Sequence, residues 1–518
     1  MSTTGADDGN TKPREFKADS LAAGVVFMLA INVFQRLIGF QRSIWFCQYL
    51  DDDQLGRWSL ALSFLLLAAP LAVIGLPGSF GRYVEHYRQR GQLRQFLLRT
   101  TLVSFLLAVV ATIGICASQD WLAEMIFNDA SQSQFVLLLG ASLIAVIAFN
   151  YVTELLTALR QVRAVTFLQF VNSVVFAVAA LGLIWSTSLG AQGIAIGYLI
   201  GSVVACLAGT WFVLTCWQSL PTASSALAHR DLWSKLVPFA AGVWIVNLLA
   251  NLFAAADRYM LVHFANESAA EAQALVGQYH SSRVLPVLMI AVAGMLSGVI
   301  LPYMSSDWEA GRRQEVSRRL HLSVKLVALL FTLGGALILL IAPWLYEYYF
   351  AGKYSDGLAI LPWTVTYCIW FSLGIIGQNY LWCAERAKLA SVALAIGLVG
   401  NIALNFLLLP LLGLLGAVLA TCAANFIALV LIYAFSHRVG MTFDRGTWLA
   451  SALPLALPLG AVPTLVILLV IAIIAWRTIW LFGQHEKDEL AGIVHRYLEK
   501  AKILVRRDEP ISTREVSK

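Results

Sequence analysis

The sequence predicts an all-α membrane protein. Two six-helix bundles repeat in parallel about a pseudo-twofold axis, and two extra helices follow at the C-terminal side. Three observations predict it. Hydrophobic residues make up 59% of the chain and charged residues only 13%, too few charges to cover a soluble domain of this size. Apolar runs of about 20 residues, the length that crosses a hydrocarbon core, recur from residue 20 to residue 482. Short motifs recur about 220 residues apart.

In chain order, a polar tail over residues 1–19 precedes the first run and is too long to be the start of a cleaved signal peptide. Six spans, 20–48, 57–80, 98–117, 134–158, 162–185 and 190–217, form an N-lobe over 20–217. A cytoplasmic linker, 218–235, leads to a C-lobe over 236–436, with spans 236–262, 276–302, 322–345, 358–382, 388–409 and 412–436. The run 447–482 is interrupted by Pro454, Pro458, Gly460 and Pro463 and is read as a helix pair, which gives fourteen spans. Twelve spans plus a re-entrant hairpin is the alternative. In the tail 485–518, Leu490, Ile493, Val494, Tyr497, Leu498 and Ala501 share one helical face, the pattern of an amphipathic helix on the inner leaflet.

Charge orients the spans. Twenty-one lysines and arginines fall on the N-terminal tail and the even-numbered connections, against three (Arg57, Arg283 and Lys353) at the edges of the odd ones. By the positive-inside rule both termini are cytoplasmic, in an inner (cell) membrane. The net charge of +6 resides in loops and tails, so it reports topology and not a nucleic-acid partner. The seven cysteines lie in or beside apolar runs without a CxxC pair, as small core residues; neither a metal nor a cofactor is expected.

The repeat is carried by four matches. "WLAEMIF" (121–127) and "WLYEYYF" (344–350) stand 223 residues apart, as do "LGAQGIA" (189–195) and "LGLLGAV" (412–418). Arg160 of "ALRQVR" matches Arg386 of "AERAK" at 226, and Arg42 matches Arg258 at 216. That offset spans six helices, an even number, so the copies share one orientation and residues 20–217 should superpose on 236–436 by rotation about the membrane normal, with a pathway between them.

With these motifs, and with "GLPGSFGRYVEHY", "ADRYML" and "APWLYEYYFAGKYSDG", residues 20–436 resemble the polysaccharide-transporter branch of the multidrug/oligosaccharidyl-lipid/polysaccharide exporter superfamily. The count of fourteen is also similar to that of the peptidoglycan-precursor flippases. The resemblance implies a flippase, not an enzyme, that moves undecaprenyl-diphosphate-linked oligosaccharide to the outer leaflet. Its partners would be that lipid, membrane lipids and polysaccharide assembly proteins.

The polar residues inside spans are the candidate site. An arginine near a bilayer centre costs roughly 2.5–3.5 kcal/mol, yet "QRLIGFQRSIW" (35–45) holds Arg36 and Arg42. At 100° per residue Gln35 and Arg42 lie within about 20° of one another, as do Asn251 and Arg258, with Asn247 one turn earlier. Arg36 shares another face with Asn32. Planar guanidinium forks suit a diphosphate, so Arg36, Arg42, Arg258 and Arg283 are expected to line an inter-lobe cavity. Gln35, Asn247, Asn251, Gln378, Asn379 and Tyr380 would meet the sugars. The structural readings are that Arg42 and Arg258 snorkel to head groups, that Asp257 pairs with an arginine, and that the amides join helices. Glu154 and Asp257, almost the only acids within spans, are candidates for coupling a proton or sodium ion.

Two rival functions stand beside this one. A multidrug exporter of the same superfamily would need acids in its cavity for organic cations. A membrane-embedded glycosyltransferase or polymerase could use "DDDQ" (51–54), but that motif has no partner histidine and no large extramembrane domain.

Overall fold

The computed structural model describes residues 21–217, 227–488 and 491–492. The tail 1–19, the first half of the linker 218–235 and the amphipathic face from Leu490 onward lie outside the described residues. With almost no water to satisfy peptide groups inside a bilayer, a spanning chain closes its hydrogen bonds within helices. The described chain does so. Its helices are α1 (Leu21–Tyr49), α2 (Asp52–Ala72), α3 (Phe80–Gln89), α4 (Leu93–Ala117), α5 (Gln119–Phe127), α6 (Ser133–Ala158), α7 (Val162–Ser186), α8 (Ala191–Trp217), α9 (His229–Phe264) and α10 (Ala269–Arg283). There follow α11 (Val287–Glu309), α12 (Arg313–Trp344), α13 (Ser355–Gly377), α14 (Asn379–Cys383), α15 (Ala387–Arg438), α16 (Arg445–Ala452) and α17 (Ala461–Arg477). Among the described residues ten helical segments are long and apolar enough to cross a membrane, and the chain is a multi-pass membrane protein.

Several expected spans are broken, each at a residue that cannot continue a helix. The span 57–80 ends at Ala72, where Gly75 takes φ 63 and a 3₁₀ turn with Pro77 precedes α3. The span 276–302 divides between α10 and α11 just before Pro286, whose ring nitrogen has no proton to donate, so Arg283 closes a helix instead of lying inside one. The run 447–482 becomes α16, a 3₁₀ stretch Leu453–Leu459 and α17, separated by Gly460 at φ 103. At 1.5 Å per residue, the eight residues of α16 reach only about 12 Å. The 52-residue α15 is two helices joined at Gly413 (φ 55, ψ −135).

The backbone also carries the repeat. Eight of the left-handed residues form four pairs: Gly91 and Gly311, Asn128 and Ala351, Arg160 and Glu385, Gly190 and Gly413. Their separations are 220, 223, 225 and 223 residues. Both basic turns close with the same six-residue bond, Gln161 N–H to the Leu156 carbonyl (2.9 Å) and Arg386 N–H to that of Leu381 (2.8 Å). This aligns Arg160 with Glu385, one residue away from the arginine match. Left-handed φ costs a side-chain-bearing residue about 1–2 kcal/mol, so four of these corners are occupied against local preference.

Packing divides the chain into two compact units, Met1–Leu288 with Ile341–Tyr367 and Ser391–Ala428, and Met289–Leu340 with Cys368–Ala390 and Leu429–Lys518. Lipid tails are as apolar as leucine, so close approach of small residues and polar contacts, not apolar burial, hold helices together there. In the first unit Phe80 packs edge-on against Phe96 and Tyr151, and the Tyr151 hydroxyl meets those of Thr100 (3.1 Å) and Thr101 (2.7 Å). The closest seam runs between α2 and α10. A Cβ on Gly56 would lie 1.8 Å from the Gln273 carbonyl oxygen, and one on Gly277 would lie 1.9 Å from that of Asp52. Arg57 Nε donates to Gln273 Oε1 (2.7 Å) and Gln278 Nε2 to Asp52 Oδ2 (2.9 Å) across it. Gly277→Leu should force these backbones apart and cost about 1–3 kcal/mol or more. Thermal unfolding of purified protein reads this, and an unchanged Tm would mean that the seam does not hold the helices.

In the second unit Lys325, fully buried, binds Asp444 and Glu486 (2.8 Å to Oε2). Asp444 also caps α16 through the Thr447 N–H (2.9 Å). Burial alone would raise the Asp444 carboxyl, but the bonds from Lys325 and Thr447 outweigh it and hold it below the usual range.

Candidate functional site

A cavity of about 540 Å³ opens in the first unit. α1 gives it Asn32, Gln35, Arg36, Gly39, Arg42, Ser43 and Phe46; α2 gives Trp58 and Leu62; α6 gives Phe149. α7 gives Gln169, Asn172, Ser173 and Phe176; Tyr198 comes from α8 and His280 from α10. Its chemistry is one-sided, with two guanidinium groups, four amides and no carboxylate.

The floor explains how Arg42 is held. Its guanidinium carbon stands 4.0 Å from the centre of the Phe176 ring and 5.9 Å from that of Phe46. Phe176 in turn packs on Phe46 (6.0 Å), Trp58 (5.8 Å) and Tyr198 (5.1 Å). A stacked cation keeps its hydrogen-bonding edge free for a ligand. Arg42 Nε has no hydrogen-bond partner among the described residues. Phe176 can sit there because α8 approaches α7 through glycines. A Cβ on Gly197 would lie 2.6 Å from the Ala180 nitrogen, and one on Gly201 would lie 2.9 Å from Asn172 Oδ1 and 3.0 Å from Phe176 Cβ. Arg36 is exposed and precedes Arg42 by six residues, about 1.7 helical turns. His280 Nδ1 meets Ser59 Oγ at 3.1 Å, between α10 and α2.

A second polar centre lies in the same unit. Asp257, 1% exposed, accepts from Tyr279 Oη (2.8 Å), Asn401 Nδ2 (2.9 Å), Asn405 Nδ2 (3.0 Å) and Thr421 Oγ1 (2.5 Å). No arginine is among these donors, in contrast to the arginine pair that the sequence left open. The side-chain oxygens of Asn401 and Asn405 are buried and have no hydrogen-bond partner among the described residues.

Of the expected site residues, Gln35, Arg36 and Arg42 meet in the cavity. Asn247, Asn251, Arg258 and Arg283 do not line it. Asn247 is exposed; Asn251 Nδ2 donates to the Leu66 carbonyl (3.3 Å), and Arg258 Nη1 to Ser63 Oγ (2.5 Å). Arg283 lies over the Tyr279 ring at 5.5 Å. In the second unit Asn379 Oδ1 accepts from Ser297 Oγ (2.9 Å), and Gln378 beside it is half-buried. Asn251 and Asn379 thus make the helix-to-helix bonds of the structural reading. Glu154, on α6, is exposed and makes no hydrogen bond or ion pair among the described residues. Gln169, Asn172, Phe176, Tyr198 and His280 were missed. The signal existed, because Gln169, Asn172 and Ser173 follow an i, i+3, i+4 pattern in an otherwise apolar helix, and Gly193, Gly197 and Gly201 stripe α8.

An all-helical, multi-pass bundle with a polar cavity within it is the architecture of a membrane transporter. The chain belongs to the polysaccharide biosynthesis protein family, whose family model matches residues 21–308. It is similar to the lipid II flippase MurJ of Bacillus subtilis (strain 168), at 22% identity over 404 residues, 70% of this chain and 72% of that protein. Among solved structures it is similar to lipid II flippase MurJ in an inward closed conformation (TM-score 0.69, 14% identity, 87% of this chain and 99% of that one). It is also similar to an inward-facing multidrug resistance MATE family transporter of the MOP superfamily (TM-score 0.64, 14% identity, 80% and 98%). At such identities the likeness to the solved structures is one of fold.

Proposed function

We propose that the protein is a flippase. It carries an oligosaccharide, joined through a diphosphate to undecaprenol, across the cytoplasmic membrane by alternating access of the lobes 20–217 and 236–436. The observation that carries this reading is the cavity with Arg36 and Arg42 on one helix and no carboxylate on its walls. A diphosphate supplies the missing negative charge, and amides and aromatic faces beside it suit sugars. The same sign of charge argues against a multidrug exporter, because an organic cation would find no counter-ion there. With both termini cytoplasmic, the start of α2 faces outward, and the α2–α10 seam closes the outer end of the pathway.

Transport is driven by a cation at Asp257. Its carboxylate, the Asn401 and Asn405 oxygens and the Thr421 hydroxyl are hard oxygen donors, which suit sodium; a proton on Asp257 is the alternative. Polysaccharide assembly proteins would receive the product at the outer face.

Proteoliposomes of purified protein loaded with undecaprenyl-diphosphate oligosaccharide test this. Wild-type protein should expose the glycan of inner-leaflet lipid to an added enzyme or lectin. No transfer of the lipid-linked glycan, with efflux of ethidium instead, would replace the reading by drug export.

A further inference from the structure

A second cavity, of about 950 Å³, lies in the other unit and takes no part in the reading above. The two ends of α15 line it: Arg386 just before the helix, Lys388 and Leu389 from its first turn and Arg438 from its last, with Glu385 beside them. Three cations against one acid leave it a formal charge of +2.

Its cations differ from the paired ones of that unit. Asp307 pairs with both Arg312 (2.6 Å) and Arg319 (2.7 Å), Glu315 pairs with Arg318, and Lys325 sits between Asp444 and Glu486. Arg386, Lys388 and Arg438 are exposed, and none makes an ion pair or side-chain hydrogen bond among the described residues. Position adds the second half of the argument. Lys388 immediately precedes the apolar run "LASVALAIGLVGNIALNFLLL", and Arg438 closely follows "NFIALVLIYAFSH". Cations at the ends of apolar spans stand at head-group depth, where the abundant anion is a phosphodiester held in the membrane plane. Two guanidinium forks and an ammonium around a concave site can bind its free oxygens from several directions.

We infer that this cavity binds the phosphate head group of an anionic membrane phospholipid, at a site separate from the transport cavity and independent of the flippase reading.

The test uses the full chain in phosphatidylcholine nanodiscs with increasing phosphatidylglycerol, and native mass spectrometry counts the lipid retained. Wild type should retain phosphatidylglycerol over phosphatidylcholine. The triple substitution Arg386→Gln, Lys388→Gln, Arg438→Gln should weaken that retention by about tenfold to a hundredfold. A control triple, Arg90→Gln, Arg230→Gln, Arg445→Gln, removes the same charge elsewhere and should leave it within about twofold. The double substitution Arg386→Lys, Arg438→Lys, which leaves Lys388 in place and keeps the charge, should retain most of the binding and guards against simple misfolding. Equal loss in both glutamine triples, or unchanged retention in the pocket triple, overturns the site. Displacement by polyprenyl diphosphate but not by phosphatidylglycerol would assign it to the substrate and overturn the phospholipid. Displacement by inorganic phosphate at equal concentration would show an anion site without lipid selectivity and also overturn it.

Discussion

Arg36→Ala is expected to abolish transfer of undecaprenyl-diphosphate oligosaccharide in proteoliposomes while protein level and membrane insertion stay normal. Arg36 is exposed in the cavity and has no hydrogen bond or ion pair among the described residues, so its loss leaves no partner stranded and folding should survive. What it removes is half the guanidinium charge of a cavity with no carboxylate. A charge-assisted pair is worth about 1.5–3 kcal/mol, and a bidentate one on a diphosphate lies at the upper end, a loss of about a hundredfold in capture. Arg36→Lys keeps the charge but loses the fork and should restore activity only in part. Arg42→Ala should be as damaging, because Arg42 lines the same cavity, and it should also loosen the aromatic floor that Phe176 provides. Phe176→Leu separates the two effects: the charge remains but the ring that orients it is gone, so transport should fall less than in Arg42→Ala. Normal flipping by Arg36→Ala would move the diphosphate site elsewhere.

Asp257→Asn is expected to remove the dependence of the protein on its coupling ion. If sodium binds there, raising sodium at constant ionic strength should stabilise purified wild-type protein, by about 2.7 kcal/mol when its concentration is a hundred times Kd. The asparagine variant should show no such rise in Tm. If the ion is a proton, sodium leaves Tm unchanged and glycan transfer in proteoliposomes responds instead to an imposed proton gradient, a response lost in the variant. Wild-type protein that responds to neither ion would refute coupling at Asp257. Asp257→Ala should be less stable than Asp257→Asn, because Tyr279, Asn401, Asn405 and Thr421 would each lose a hydrogen bond to a charged group, worth about 1.5–3 kcal/mol, although each keeps one other partner.

The class of fold was legible because hydrophobic length and helical closure leave a membrane chain few alternatives. The repeat was legible through corners such as Gly190 and Gly413, where an L-G-x-x-G spacing reflects a backbone need. Helix breaks were less so. Pro286 divides α10 from α11, whereas Pro70, Pro238 and Pro362 lie inside continuous helices, and only tertiary packing separates the two outcomes. The site was half legible. Arg36 and Arg42 stood out because charge inside a span is expensive, but periodicity assigns faces only within one helix. It could not tell that Gln169 and Asn172 of α7 would meet them while Asn247 and Arg258 would not. Asp257 was visible as an acid; its neutral donors, spread from residue 279 to 421, had no local signature.

The paired left-handed corners also bear on how such a protein can change its cargo over time. Asn128 and Ala351, or Arg160 and Glu385, hold the same backbone turn with unrelated side chains. The corners are therefore inherited as geometry, apart from the identity of the residues that occupy them. The walls between have meanwhile specialised, with the arginines of α1 in one copy and the acid of α9 in the other. A scaffold whose joints stay fixed while its lining drifts is evolvable. A different cargo can be accommodated by exchanging residues such as Gln169 or Asn172, without the chain having to learn a new way to fold.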